Sequence, residues 1–277
     1  MIFEKIKLGE VYTALESDSG VVEAYIPSNS EEINIDRKRP TVIICPGGGY
    51  RFTSDREAEP VALRFMAEGF NAIVLRYSVA PIRYPQQLLE VAATVDYARK
   101  MKDKWNVDTE NIIVCGFSAG GHLAASLGTL WTDDVIKERL GLEAEEVKPN
   151  KLILSYPVIT SNDFGHQGSF DNLLGENSIE EDRRKLSIEN LISKDTPPTF
   201  IWHTFDDKTV PVQNSLLLAN ALTEHEIPFE MHIYPKGVHG LSLCEKVTAK
   251  EGENKLIDNH VASWFSLAIK WIMIKSS

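Results

Sequence analysis

The stretch "NIIVCGFSAGGHLAASLGTLW", residues 111–131, decides how the rest of the chain is read. Its first six residues are apolar and β-branched enough for a strand buried on both faces. From Ala119 onward, small and apolar residues recur at helical spacing. The junction, Gly116-Phe117-Ser118-Ala119-Gly120, is a G-x-S-x-G pattern whose glycines let the chain turn sharply from strand to helix. A serine at such a bend holds its hydroxyl above the sheet, and the next amide, Ala119 N–H, is a helix-start donor without an intrahelical partner. The plain alternative is a small residue in a glycine-rich corner where a helix packs closely on a strand. Three fixed positions recur by chance, so the neighbouring segments must decide.

Those segments alternate. "VVEAYIP" (21–27), "TVIICP" (41–46) and "NAIVLRY" (71–77) read as buried strands before the motif; "KLILSYP" (151–157), "TFIWHT" (199–204) and "FEMHIYP" (229–235) read as strands after it. Helical spacing marks "REAEPVALRFMAEGF" (56–70), a long helix opened by Pro85 and running to Trp105, and the segments 212–226 and 253–275. Strands alternating with helices predict an α/β protein with a mostly parallel sheet of about eight strands, covered on both faces. The stretch 131–195 breaks the rhythm with acidic helical segments and the loop "SNDFGHQGSF", and is expected to be a lid-like excursion on a single domain spanning 1–277.

Composition narrows the function. The chain has 277 residues, 43% apolar and 25% charged, and a net charge of −11, which disfavours nucleic acid and anionic membrane surfaces as partners. No apolar run approaches the roughly 20 residues of a membrane span, and "MIFEKIKLGE" carries charges where a signal peptide needs an apolar stretch, so a cytoplasmic location is expected. Three cysteines cannot all pair, and Cys45 and Cys115 end buried strands, so core thiols are expected rather than disulfides. No Cys/His spacing suggests zinc, and neither a metal nor an organic cofactor is implied. The glycines of "GGGYRF" do not form G-x-G-x-x-G, and no G-K-[ST] follows, which sets a nucleotide site aside.

A nucleophilic serine needs a base, and the base needs an orienting carboxylate; after a nucleophile elbow the chain order is Ser, then Asp or Glu, then His. "HTFDDKTVPV" (203–212) leaves a strand and offers Asp206 and Asp207. "YPKGVHGLS" (234–242) leaves the next strand and offers His239 in a glycine-flanked loop. The other histidines have structural explanations: His122 packs behind the nucleophile, His203 props the carboxylate turn, and His225, His232 and His260 sit on a helix surface, a strand and the last helix. His166, in the excursion, is a candidate for substrate contact, as are Tyr50, Arg51 and Tyr77 beside the glycine triplet and the strand end. A second oxyanion donor is expected from "CPGGGY" (45–50), whose glycines allow close approach of backbone amides.

With these residues placed, the chain resembles the α/β-hydrolase superfamily, and within it the bacterial acetylxylan-esterase-like proteins related to the hormone-sensitive-lipase and dienelactone-hydrolase groups. The blocks "CPGGGY", "RYSVAP", "GFSAGGHLAASLG", "LILSYPVIT", "GSFDNLLG", "DTPPTFIWHTFDDKTVPVQNSL" and "YPKGVHGLSL" carry the resemblance over about residues 20–245. It implies Ser118 as nucleophile, His239 as base and, from the D-x-x-V-P block matched by "DKTVP", Asp207 as the acid, with Asp206 the second choice. Lipase-like relatives carry H-G-G-G where this chain has Pro46-Gly47-Gly48-Gly49, so Gly48 and Gly49, but no histidine, are implied as oxyanion donors beside Ala119. The expected activity is that of a serine carboxylesterase on small, acetyl-type esters, with short acetylated sugars or xylo-oligosaccharides as substrates. The rivals are a short-chain lipase or peptidase of the same fold and a binding protein that keeps the fold without catalysis. An open sheet edge leaves association with a second copy open.

Overall fold

The structure, a computed structural model, describes residues 1–15 and 20–274. Among these residues, eight strands form one sheet: β1 (Ile2–Lys7), β2 (Val21–Ile26), β3 (Arg39–Cys45), β4 (Asn71–Arg76), β5 (Val107–Phe117), β6 (Lys151–Ser155), β7 (Thr199–Thr204) and β8 (Phe229–Tyr234), in the order β1-β2-β4-β3-β5-β6-β7-β8. β2 pairs antiparallel with both β1 and β4; from β4 to β8 every pairing is parallel. This is the α/β-hydrolase arrangement that the resemblance implied.

Among the described residues, ten helices connect or cover the strands: α1 (Leu8–Val11), α2 (Glu59–Ala67), α3 (Gln86–Lys100), α4 (Ala119–Leu130), α5 (Asp134–Leu140), α6 (Ala144–Val147), α7 (Gln167–Leu174), α8 (Glu180–Arg184), α9 (Gln213–Glu224) and α10 (Ser263–Ile272). Among the described residues none is long and apolar enough to cross a membrane. The central strands are nearly continuous in apolar residues because both sheet faces are covered, and successive side chains feed two cores. Ile43 and Cys45 of β3 and Ile112 and Val114 of β5 join α3 and α4 on one face. Val42 and Ile44 of β3 and Ile113 and Cys115 of β5 join α2 and α10 on the other. Cys45, Cys115 and Cys244 are buried free thiols, and burial pushes each above the ordinary thiol range.

Four expectations change. The long helix opened by Pro85 ends at Lys100 rather than Trp105, and turns carry the chain from Met101 to β5. The first strand, β1, lies outside the strands read from sequence. The final helix begins at Ser263 rather than near 253, because a 3-10 turn at Asn254–Leu256 and the Asp258 carboxylate, which accepts from the amides of His260 and Val261, occupy the chain before it. The excursion at 131–195 is not continuous, because β6 runs through the sheet inside it. The segment after β6, from Tyr156 to the start of β7, carries α7 and α8, and Asn172 of α7 donates to the Gly49 carbonyl in the loop that follows β3.

Candidate active site

Ser118 sits between β5 and α4 with φ 54° and ψ −120°, a backbone region that costs a non-glycine residue about 1–3 kcal/mol. The turn is locked by close approach: a Cβ on Gly120 would lie 2.0 Å from the Cys45 carbonyl oxygen and 2.4 Å from that of Pro46. Only glycine lets α4 start this close to the end of β3. The Ser118 carbonyl accepts from the amides of His122 and Val158, and its own amide donates to the Ser155 carbonyl, so the bend is tied to α4 and to the end of β6.

The Ser118 hydroxyl lies 2.8 Å from His239 Nε2, and His239 Nδ1 lies 2.6 Å from Asp207 Oδ2. The partners fix the tautomer: Nδ1–H donates to the carboxylate and Nε2 accepts from the serine. Asp207 Oδ1 accepts from the amides of Thr209 and Val210, and His203 Nε2 approaches Oδ2 at 3.4 Å. Burial pushes the Asp207 carboxyl up, but the hydrogen bonds from His203 and His239, the His239 charge and the Val210 amide outweigh it and hold it well below the usual carboxylate range. Asp206 faces elsewhere and accepts from the Gly237 amide at 2.7 Å, bracing the loop that carries His239.

The backbone polar groups of the glycine loop can be followed one by one. The Pro46 carbonyl accepts from the Tyr77 hydroxyl at 2.6 Å, the Gly47 amide donates to Glu57 Oε2 at 2.8 Å, and the Gly47 carbonyl accepts from the Ser54 amide. The Gly48 carbonyl accepts from the Arg51 amide, and the Gly49 carbonyl from Asn172 Nδ2 of α7 at 2.8 Å. The amides of Gly48 and Gly49, like that of Ala119, have no acceptor among the described residues. A Cβ on Gly48, at φ 131°, would lie 2.0 Å from the Phe52 carbonyl oxygen, so the loop requires glycine there.

Ser118, His239, Gly48 and Gly49 open on one cavity of about 360 Å3, whose other walls include Arg51, Phe52, Arg56, Glu57, His166, Asn172 and Thr209. A larger cleft of about 870 Å3, near the C-terminal end of α7, is lined by Arg83, Tyr84, Asp182 and Lys185 among others and holds none of these groups. Two candidates for substrate contact are corrected. Tyr50 and Tyr77 are buried, with their hydroxyls committed to His122 Nδ1 at 2.8 Å and to the Pro46 carbonyl. Arg51 and His166 do line the cavity, with His166 Nδ1 2.8 Å from the Ser169 hydroxyl. Burial and the neighbouring His239 charge lower the His166 pKa.

Two of the remaining histidines are buried in the protein. His122 is fully buried between the Tyr50 hydroxyl and the Leu186 carbonyl, and burial lowers its pKa to about 4. His203 spans the Ser215 hydroxyl and the Val210 carbonyl. Sequence reasoning did not single out Glu57, buried behind the glycine loop, or Asn172, which holds that loop from α7. Chemically, a serine donating to an imidazole that donates to a buried carboxylate can lose its proton as it attacks, and free amides beside it can receive the negative charge that forms.

The BD-FAE family matches residues 23–222. The chain is 39% identical over 216 residues, 76% of its length, to the endo-1,4-beta-xylanase B of Butyrivibrio fibrisolvens. It is 29% identical over 209 residues, 72% of its length, to the acetylxylan esterase of Xylanibacter ruminicola. It spans only 34% and 40% of those two relatives. Among solved structures, the acetyl ester-xyloside bifunctional hydrolase of Caldicellulosiruptor lactoaceticus superposes with a TM-score of 0.78 at 39% identity, over 91% of this chain and 86% of that one. The sheet order, the turn at Ser118 and a family match over most of the chain agree: the chain belongs to the BD-FAE family, an acetylxylan-esterase-like group of the α/β-hydrolases.

Proposed function

We propose that the protein is a serine carboxylesterase that removes acetyl groups from small esters, with acetylated sugars or xylo-oligosaccharides as its substrates. One observation carries the reading: the hydrogen-bonded chain Ser118–His239–Asp207 opens on the same small cavity as the uncommitted amides of Gly48 and Gly49. In the first half-reaction Ser118 Oγ attacks the ester carbonyl carbon while its proton passes to His239 Nε2. Asp207 holds the imidazole and stabilises the imidazolium. The carbonyl oxygen, now negative, is received by the amides of Gly48, Gly49 and Ala119. Collapse of the tetrahedral intermediate breaks the bond to the alcohol, which leaves with the proton from His239 and an acetyl-Ser118 behind it. Water, deprotonated by the same imidazole, then attacks the acyl carbon and releases acetate.

Cavity size and lining support the choice of a short acyl group and a polar alcohol. Phe52 is the one large apolar side chain on walls otherwise formed by glycines and by polar groups such as Arg51, Arg56, His166, Asn172 and Thr209, an unfavourable path for a long acyl chain. The names of the xylanase, acetylxylan esterase and acetyl ester-xyloside hydrolase relatives support the sugar. The test is an acyl-length series of aryl esters: kcat/KM is expected to be highest for acetate and to fall by at least tenfold at octanoate. A maximum at long acyl chains would overturn the acetyl reading in favour of a lipase.

A further inference from the structure

We infer that Glu57 is a positioning residue that couples the oxyanion loop to the loop carrying the base; the inference rests on the esterase reading. Glu57 ends a 3-10 turn at Asp55–Glu57 and is 3% exposed. Each carboxylate oxygen accepts one hydrogen bond, and the two donors belong to different parts of the site. Oε2 accepts from the Gly47 amide at 2.8 Å. Oε1 accepts from the Tyr156 hydroxyl at 2.6 Å. Tyr156 follows β6, and its oxygen in turn accepts from the Ser242 amide at 2.9 Å, three residues beyond His239. The Ser242 hydroxyl closes the circuit by donating to the carbonyl of Arg56, the residue before Glu57, at 2.6 Å. The Tyr156 ring meets the His239 imidazole edge-on, with centroids 5.1 Å apart.

Two features of this network tie it to catalysis. The first is the fate of the Gly47 amide. Alone among the three glycine amides of the loop it points back into the protein onto Glu57, and this orients the following peptides so that the amides of Gly48 and Gly49 are left for substrate. A Cβ on Gly47 would meet Glu57 Oε2 at 2.8 Å and Ser118 Cβ at 2.9 Å, so carboxylate and nucleophile flank the space of a single methyl group. The second is the energetic cost of the buried charge. A buried carboxylate that no ion pair reaches among the described residues is costly, and an apolar side chain would serve packing at least as well. Its position is explained by the two loops it joins: one receives the oxyanion, the other delivers the base, and both must keep register with Ser118 to within a fraction of an ångström.

The experiment compares wild type, Glu57→Gln and Tyr156→Phe on an aryl acetate, with active sites counted by an organophosphonate burst. Glu57→Gln keeps size but turns one acceptor into a donor facing Gly47 or Tyr156; Tyr156→Phe keeps the ring against His239 and removes the link to Glu57 and Ser242. Each variant is expected to lose about 10- to 100-fold in kcat per titrated site with KM within about twofold. Affinity for a boronic acid, which forms a tetrahedral adduct on the serine, should fall by the same factor. A purely structural role would lower the melting temperature and the titrated fraction while leaving kcat per site and boronate affinity at wild-type values, and that result would overturn the inference. If Glu57→Gln does not fold, wild-type kcat in folded Tyr156→Phe overturns it equally. Wild-type protein inert toward both aryl acetate and phosphonate would overturn the esterase reading itself, and the inference with it.

Discussion

Asp207 Oδ2 stands 2.6 Å from His239 Nδ1, whereas the preceding residue, Asp206, accepts from the Gly237 amide. Adjacent carboxylates thus serve one loop in two ways: one holds the imidazole, the other holds the backbone that presents it. Asp207→Asn should lower kcat by about 10⁴-fold, because an amide can donate to Nδ1 and so favour the wrong tautomer. Asp206→Asn keeps an oxygen that can accept from Gly237 and should cost less than tenfold. Steady-state kinetics of the two variants on one ester measures the contrast; equal losses would contradict the assignment.

Burial of His122 makes stability depend on pH. Its folded-state pKa is lowered to about 4, whereas in the unfolded chain it titrates near the ordinary 6.5. Below 6.5 the unfolded chain gains a proton that the folded chain does not, so stability falls with pH until about 4, at about 1.4 kcal/mol per pH unit and about 3 kcal/mol in all. His122→Gln should lose this part of the slope. Urea unfolding at pH 7.5 and pH 5 measures it: between these two values the wild type should lose about 2 kcal/mol more than the variant.

Gly120 is where backbone approach is closest. A Cβ there would meet the Cys45 carbonyl at 2.0 Å, so Gly120→Ala must push α4 away from the end of β3. A loss of about 3 kcal/mol or more is expected in thermal or denaturant unfolding, with activity falling in step because Ser118 moves with the helix.

His166 and Arg51 line the cavity without touching Ser118 or His239 through any hydrogen bond. Alanine at either position should raise KM several-fold for acetylated xylo-oligosaccharides while leaving aryl acetate turnover within about twofold. Matching losses on both substrates would show that these side chains act on the chemistry rather than on the alcohol.

The readable parts of the sequence were those where one local pattern has one physical meaning. The central strands showed as apolar runs because both of their faces are covered, and Ser118 and His239 stood in glycine-flanked turns directly after strands. β1 alternates exposed and half-buried residues at the sheet edge, and "IFEKIK" gives a weak signal for that reason. Asp206 and Asp207 are consecutive, and composition alone cannot say which carboxylate turns inward; the V-P after them carried that choice through the family resemblance. Tyr50 reads as available to substrate because it follows three glycines, yet its positive φ of 56° accompanies a hydroxyl turned inward to His122. Glu57 gave no signal at all, since an acid in "SDREAEP" reads as a solvated helix start until the fold closes over it.

Nucleophilic attack of Ser118 on acetyl esters is tested by acetate release from acetylated xylo-oligosaccharides and from an aryl acetate, comparing wild type with Ser118→Ala. Turnover of both substrates by the wild type and a loss on the order of 10⁶-fold in the variant are expected. Folded Ser118→Ala protein that releases acetate at the wild-type rate would contradict this role of Ser118.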